Sequence, residues 1–376
     1  MMQVQEVKHA LAKPSIHWLA IFLPISLAVA YLPLFQNEIV LFFTSCLGMV
    51  VVAYWLGNAT EELAARVGSV WGGMMNAAFS NLPELIFGLI AVAKGLGPLA
   101  KAAWTGAIIS NMLIAVGAAV MVGGYRYGTV TFPLERAKDA AAGLMIAAVA
   151  ILMPSIYAHA VDFSSETVSA ASVIKNVSVW LSLFLLMAYG GSIVYTIARF
   201  RYSEPVQTTN LADFPQLEDN KTSWSVSFSI AVLAVCSLFM AFLSNFVADC
   251  VDSVTAGFGW TEIFVGAIVI GIIGNVGAIM SAVLVAYRGK VDLSFEIGMN
   301  AASQIALLVI PTLIIASSIV GKPVDFLFSP PQIAALIGSV LIMTQISQDG
   351  RCNWLNGLQM LIFFGVISVL FFYDPT

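Results

Sequence analysis

Charged residues are scarce in this chain. Asp, Glu, Lys and Arg make up 10% of its 376 residues, whereas a soluble domain carries about 25%. Hydrophobic residues make up 60%. This composition excludes an ordinary water-soluble domain and predicts that the chain lies in a lipid bilayer. No basic tract suits a nucleic acid, no glycine loop suits a nucleotide, and no nucleophile stands beside a base, so we expect neither nucleic-acid binding, nor catalysis, nor a bound cofactor.

Cysteine is also rare and lacks the spacing of a metal site. Cys46, Cys236, Cys250 and Cys352 lie in or beside apolar segments, which predicts thiols packed in helices instead of a disulfide or a zinc site. The first apolar stretch is not followed by a small-residue cleavage site, so it is interpreted as a membrane span and not as a removed signal.

Long apolar windows fill most of the sequence. Each is close to the ~20 residues that a helix needs to cross a bilayer, and together they predict an all-α integral membrane protein of about eleven transmembrane helices. The windows are 17–35, 39–57, 69–93, 101–123, 138–158, 176–199, 225–247, 262–287, 293–319, 331–347 and 355–373.

Two of these regions are copies of one segment. Residues 80–111 align with residues 274–305 without a gap, at an offset of 194, so that Asn81 falls on Asn275. Glu84, however, falls on Ala278. Polar residues interrupt both copies, which lipid tolerates only where the freed backbone groups are buried in protein or face a wet cavity. A duplicated polar interruption predicts a transport site.

Basic residues predict the orientation, because lysine and arginine are retained on the cytoplasmic side. With the N-terminus in the cytoplasm, only four of the 16 basic residues lie outside, namely Lys94, Lys101, Lys175 and Lys322. The two copies then run in opposite directions. We therefore predict a first repeat at 39–200 and an inverted second repeat at 224–376, each of five helices, with an extra helix at 1–38 and a cytoplasmic acidic linker at 201–223.

Polar motifs surround both copies, in an order that resembles the calcium/proton exchangers of the cation/calcium antiporter superfamily along nearly the whole chain. The first half has GNATEELA at 57–64, NAAFSNLPELI at 76–86 and GAIISN at 106–111, where the family has GDVTEDLA, NATFGNATELI and GSILSN. The second half has GNVGAI at 274–279, KVDL at 290–293, NAASQIAL at 300–307 and DGRCNWLNG at 349–357, similar to GNAAEH, KMDL, GSSxQIAL and DGKSNWLEG.

The resemblance implies a sodium/calcium exchanger-like fold and a cation site at the middle of the membrane. It implies that Glu84 binds the ion and exchanges protons, with Ca²⁺ as the transported metal and H⁺ as the counter-ion. The neutral oxygen ligands or orienting groups implied in the same way are Asn81, Ser110, Asn111, Asn275, Ser303 and Gln304. Calcium takes six to eight oxygen ligands, and a buried divalent ion needs about two negative charges nearby.

The second copy departs from the family at the most important position. Ala278 stands where the second acid belongs, Ile279 replaces a histidine, and Ala301 and Ala302 replace two serines. A divalent ion beside Glu84 alone would keep one uncompensated positive charge, which is costly at membrane depth.

Other carboxylates are candidates for the missing charge. Glu296 precedes Asn300 by four residues and Gln304 by eight on one helical face, so it is a candidate for a displaced second acid; the alternative is that it only belongs to the first turns of a helix capped by Asp292. Glu61 and Glu62 form either a cytoplasmic entrance or a solvated helix end. Glu84 itself has no cation within the span cores to pair with, which favours an ion-binding role over a structural one.

Three functions stay open on the sequence. The first is a calcium/proton antiporter. The second is a sodium or potassium/proton antiporter, because one carboxylate balances one monovalent ion. The third is a degenerate, non-transporting relative. The short N-terminus favours a prokaryotic plasma membrane over a vacuole, and the family's dimers and trimers make a homo-oligomer a further candidate partner alongside the cations and the lipid.

Overall fold

The computed structural model of the chain describes residues 16–33, 35–67, 79–131, 134–160, 170–202 and 224–374. Its elements are named here in chain order. They are α1 Ile16–Tyr31, α2 Glu38–Val67, α3 Leu82–Lys94, α4 Gly97–Tyr127, β1 Val130–Thr131, α5 Leu134–Ala160, α6 Ala170–Tyr202, α7 Val226–Phe258, α8 Glu262–Gly274, α9 Val276–Tyr287, α10 Val291–Val320, α11 Pro330–Asp349, β2 Arg351–Cys352 and α12 Trp354–Phe372.

Most of these helices have the length and composition of membrane spans. Among the described residues, eight helices are long and apolar enough to cross a bilayer, and α8 with α9 makes a ninth, bent by 55°. The protein is therefore an all-α integral membrane protein, as predicted. The first predicted span coincides with the shorter α1, and the third is described only from residue 79 onward, so the total of eleven stays a prediction.

The offset of 194 recurs in the backbone. Helix α3 begins at Leu82 and α9 at Val276, and each follows an asparagine with similar dihedral angles: φ −101° and ψ 19° at Asn81, φ −95° and ψ 6° at Asn275. After the C-terminal end of each helix a glycine takes a positive φ, 82° at Gly95 and 87° at Gly289, a conformation that favours glycine. The two copies therefore share a helix break as well as a sequence.

The helix that follows each break is duplicated as well. Helices α4 and α10 begin at Gly97 and Val291, again 194 residues apart. Each contains one turn of π-helix, at Asn111–Ala115 in α4 and at Ile305–Val309 in α10. Such turns occur inside α-helices mostly at functional sites. The duplicated unit is thus a broken helix followed by a helix with a π turn.

Glycines let the two repeats approach each other closely where α4 crosses α8. A methyl group added at Gly106 would lie 1.9 Å from the carbonyl oxygen of Ala267, and one added at Gly271 would lie 2.7 Å from the carbonyl carbon of Gly106. Small residues allow such backbone contact between membrane helices. The crossing brings the end of α8 against the middle of α4, where the site lies.

Three of the four lysines predicted to lie outside contact acids or carbonyl oxygens of the protein. Lys94 forms an ion pair with Asp249, Lys101 lies 3.1 Å from Asp325, and Lys322 donates to the carbonyl oxygen of Ala93 at 2.6 Å. Neither of the two ion pairs among the described residues involves Glu84.

The predicted acidic linker lies outside the described residues from 203 onward, as does Asn76, and α6 continues to Tyr202.

Candidate cation site

Glu84 lies in the first turn of α3, directly after the break at Asn81. Pro83 precedes it and suits the first turn, because the amide hydrogens there have no partner within the helix. The residue is only 8% exposed, and its Oε2 atom has no hydrogen-bond partner among the described residues. The N-terminal end of a helix favours a negative charge. The position therefore holds a buried carboxylate with a free oxygen.

The carboxylate lies against the break of the other repeat. A methyl group added at Gly274, the last residue of α8, would come within 2.9 Å of Glu84 Oε1. The C-terminal end of α8 lies at Gly274, and such helix ends attract cations. Both the acid and the dipole of the broken helix therefore supply negative potential at one place.

Buried amides join α4 to the second break. Asn111 Nδ2 donates to Asn275 Oδ1 at 2.5 Å, and Asn275 Nδ2 donates to the carbonyl oxygen of Gly271 at 2.8 Å. Ser110 Oγ donates to the same carbonyl at 3.1 Å. Asn111 is fully buried, and its Oδ1 has no partner among the described residues. That oxygen is an available neutral ligand.

A matching contact joins α10 to the first break. Asn81 Nδ2 donates to Gln304 Oε1 at 2.8 Å, and Ser80 Oγ lies 3.4 Å from the same oxygen. Ser303 is half-buried beside Gln304. Each broken helix is thus tied to the π-turn helix of the other repeat, so the structure brings the predicted neutral ligands to two junctions that flank Glu84.

Ala278 leaves the site with a single acid. It is half-buried in the first turn of α9, at the position equivalent to Glu84. Within the part of the chain that the structure describes, no group of three or more His, Cys, Asp or Glu side chains comes close enough to hold a metal ion. Of the two equivalent positions in the repeats, only Glu84 carries a carboxyl group.

The structure places the other predicted acids on α10 and α2. Glu296 is half-buried on α10, eight residues before Gln304, which corresponds to about 12 Å along the helix axis. It does not line the cavity beside Glu84. Glu61 is exposed near the end of α2, and Glu62 has one buried oxygen without a described partner. Their roles as displaced acid and entrance stay predictions.

A small cavity adjoins Glu84 on the side where α3 and α4 meet. Its volume is about 10 Å³, close to the space that one water molecule needs. It is lined by Met49, Pro83, Glu84, Phe87, Ala103, Trp104, Ala107, Ile270, Gly271 and Gly274. Sequence reasoning missed Trp104; the available signal was a bulky indole two residues before the tightly packed Gly106.

Known proteins are similar to this chain in sequence and in fold. The family model described as sodium/calcium exchanger protein matches residues 37–198 and 228–373. A Ca²⁺/H⁺ antiporter of Aphanothece halophytica is 35% identical over 365 residues, which cover 95% of this chain and 96% of that protein. The Ca²⁺/H⁺ antiporter ChaA of Bacillus subtilis is 30% identical over 335 residues, covering 89% and 92%.

Solved structures agree in fold. The structure of native YfkE superposes with a TM-score of 0.79 at 27% identity, covering 95% of this chain and 99% of that one. The crystal structure of an H⁺/Ca²⁺ exchanger, CAX, gives a TM-score of 0.70 at 16% identity, which shows the fold alone, and covers 95% and 90%. With most of its length matched by the family model, the chain belongs to the sodium/calcium exchanger protein family, within the cation/calcium antiporter superfamily.

Proposed function

We propose that this protein is a secondary transporter that exchanges Ca²⁺ for H⁺ across a prokaryotic plasma membrane, with its N-terminus in the cytoplasm. The observation that carries the proposal is the buried Glu84, which has an oxygen without a partner among the described residues and lies against Gly274 at the end of α8. The names of the bacterial relatives, which are Ca²⁺/H⁺ antiporters, support calcium and protons as the exchanged ions.

Competition for one carboxylate suffices for such exchange. A carboxyl group in a low-dielectric surrounding binds a proton more readily than one in water, and it binds a cation only after that proton leaves. If the site opens to one side at a time, cation loading on one side and proton loading on the other couple the two fluxes. Neutral oxygen atoms such as Asn111 Oδ1 complete the coordination shell of the cation.

The single acid supports a second candidate, exchange of a monovalent cation for a proton. Ala278 provides no charge, so Na⁺ or K⁺ beside Glu84 would be balanced, whereas Ca²⁺ would keep one positive charge. Calcium therefore requires a further negative contribution, for which the carbonyl end of α8 and Glu296 are the candidates.

Proton movement measured with a pH-sensitive dye in liposomes that contain the purified protein distinguishes the two candidate functions. We expect a calcium gradient to drive proton movement, with sodium and potassium gradients giving little. Proton movement driven only by sodium or potassium would replace calcium with the second candidate. No cation-driven proton movement in any arm would contradict both and favour a non-transporting relative.

Restoring the second acid is expected to strengthen calcium binding. In Ala278→Glu the new carboxylate would occupy the position equivalent to Glu84, in the first turn of α9. A second buried charge should lower the KM for calcium roughly tenfold. The measurement is calcium uptake against concentration, with Ala278→Gln as the uncharged control of equal size. A lost turnover in Ala278→Glu at unchanged KM would favour the monovalent candidate.

Glu296→Gln tests the displaced acid. If this carboxylate supplies the missing charge, its neutralisation should raise the KM for calcium about threefold, an effect reduced by the distance to the site. Asp292→Asn, in the first turn of the same helix, is the matched control. Equal KM values in Glu296→Gln and the parent would limit Glu296 to a role in α10 itself.

A further inference from the structure

Two residues that line one small cavity each carry a buried polar atom without a partner among the described residues. One is Glu84 Oε2; the other is Nε1 of Trp104, whose side chain is only 1% exposed. Both residues line the 10 Å³ cavity. A buried donor or acceptor without a partner is costly, so native proteins pair such groups with protein or with ordered water. The cavity therefore needs a small polar occupant.

Glycine at position 88 allows the indole nitrogen of Trp104 to lie directly against α3. Gly88 lies one helical turn after Glu84 on α3, and a methyl group there would come within 2.9 Å of Trp104 Nε1. The indole N–H thus packs against the bare backbone of α3, on the face that carries Glu84. The residues that carry this donor and the acceptor, Trp104 and Glu84, line the cavity from two helices, α4 and α3.

The chemistry of the lining identifies the occupant. An indole N–H is a donor only, so its positive hydrogen repels a cation and donates a hydrogen bond to the oxygen of a water molecule. The other lining side chains, including Met49, Phe87 and Ile270, are apolar. A water can accept from Trp104 and donate to Glu84, which meets the minimum of two polar partners for a buried water.

The second repeat offers an internal comparison. At the offset of 194, Glu84, Gly88 and Trp104 correspond to Ala278, Ala282 and Gly298. The second copy therefore lacks the acid, the bare glycine and the indole together. The acid and the indole donor occur together in one repeat and are both absent from the other. This is expected if the indole N–H positions the carboxylate.

We propose that one water molecule occupies this cavity, and that Trp104 is a positioning residue that holds the Glu84 carboxylate through it. Bonded to Trp104 by this water, Oε2 is fixed, and the carboxylate keeps one orientation toward the break at Gly274. The effect on cation affinity rests on the proposed function, whereas the water itself does not.

Two variants remove the N–H group. Trp104→Phe deletes it together with part of the ring, and β-(3-benzothienyl)alanine at position 104 replaces N–H by sulfur while keeping the shape. Both are expected to raise the KM for calcium roughly three- to tenfold and to leave kcat nearly unchanged, because one hydrogen bond that orders the free site is lost. The same two substitutions at Trp180, which is 63% exposed, are the matched controls.

The water is observed directly by NMR of the parent protein labelled with ¹⁵N in its tryptophan indoles. The Trp104 resonance, assigned by its loss in Trp104→Phe, should show a cross-peak to water, and Trp180 in a detergent shell should not. Absence of the Trp104 cross-peak overturns the bound water. A cross-peak with unchanged KM in both variants overturns the positioning role. If the parent transports no calcium, the cross-peak still tests the water, so that failure of the proposed function is recognised separately.

Discussion

Glu84→Gln is expected to abolish calcium-driven proton movement without unfolding the protein. Glutamine keeps the size of the side chain but carries no charge, so the buried cation would lose the negative charge of Glu84. Removing one partner of a buried charge pair costs enough to lower the rate by at least about 100-fold at low calcium. Proton release from the site would be lost as well, because an amide does not titrate.

Proteoliposomes containing the parent, Glu84→Gln and Glu38→Gln provide the measurement. Glu38 lies at the exposed start of α2, where it accepts a hydrogen bond from Ser253, and its variant should retain transport. The thermal unfolding midpoint of Glu84→Gln in detergent should match or exceed that of the parent, since a buried charge has been removed. Calcium-driven proton movement that survives in Glu84→Gln would refute the mechanism.

Gly106→Ala is expected to destabilise the whole protein. Its methyl group would lie 1.9 Å from the Ala267 carbonyl oxygen and 2.4 Å from the Ala267 Cα, so backbone, and not a flexible side chain, would have to move. Forcing atoms into a packed interior costs about 3 kcal/mol in such a case. The separation of α4 from α8 would also displace Ser110 and Asn111 from the break at Asn275.

Thermal unfolding followed by fluorescence-detected size exclusion measures this effect. Gly143→Ala on α5 is the control, because nothing lies within 4 Å of its added methyl group and alanine favours a helix. We expect a much lower midpoint or no folded protein for Gly106→Ala and an unchanged or higher midpoint for Gly143→Ala. Equal midpoints for Gly106→Ala and the parent would show that the crossing is looser than the distances indicate.

The duplication could be predicted from the sequence because both copies keep the same order and spacing of residues. The gapless match of residues 80–111 to 274–305 indicates equivalent positions, and the bounds of α3 with α9 and of α4 with α10 follow the same offset. Apolar windows of membrane length likewise indicated the helices, since hydropathy and length are local properties.

Contacts between the repeats could not be predicted in this way. Alignment shows that Asn81 is equivalent to Asn275, but it does not show that one bonds Gln304 and the other Asn111. Those partners depend on how two helices cross, which the closeness of Gly106 to Ala267 sets. Trp104 was missed for the same reason: an indole in an apolar helix resembles any packed aromatic until its neighbour Gly88 is located.

The π turns of α4 and α10 have a consequence for which faces of these helices meet the site. A π turn holds one residue more than an α turn, and one inserted residue advances the direction of every later side chain by about 100°. The stripe that faces the breaks before Asn111 and Ile305 therefore does not continue beyond them. Each helix therefore turns one row of side chains toward the breaks before its π turn and a different row after it, and a single helical wheel would not place the two rows together.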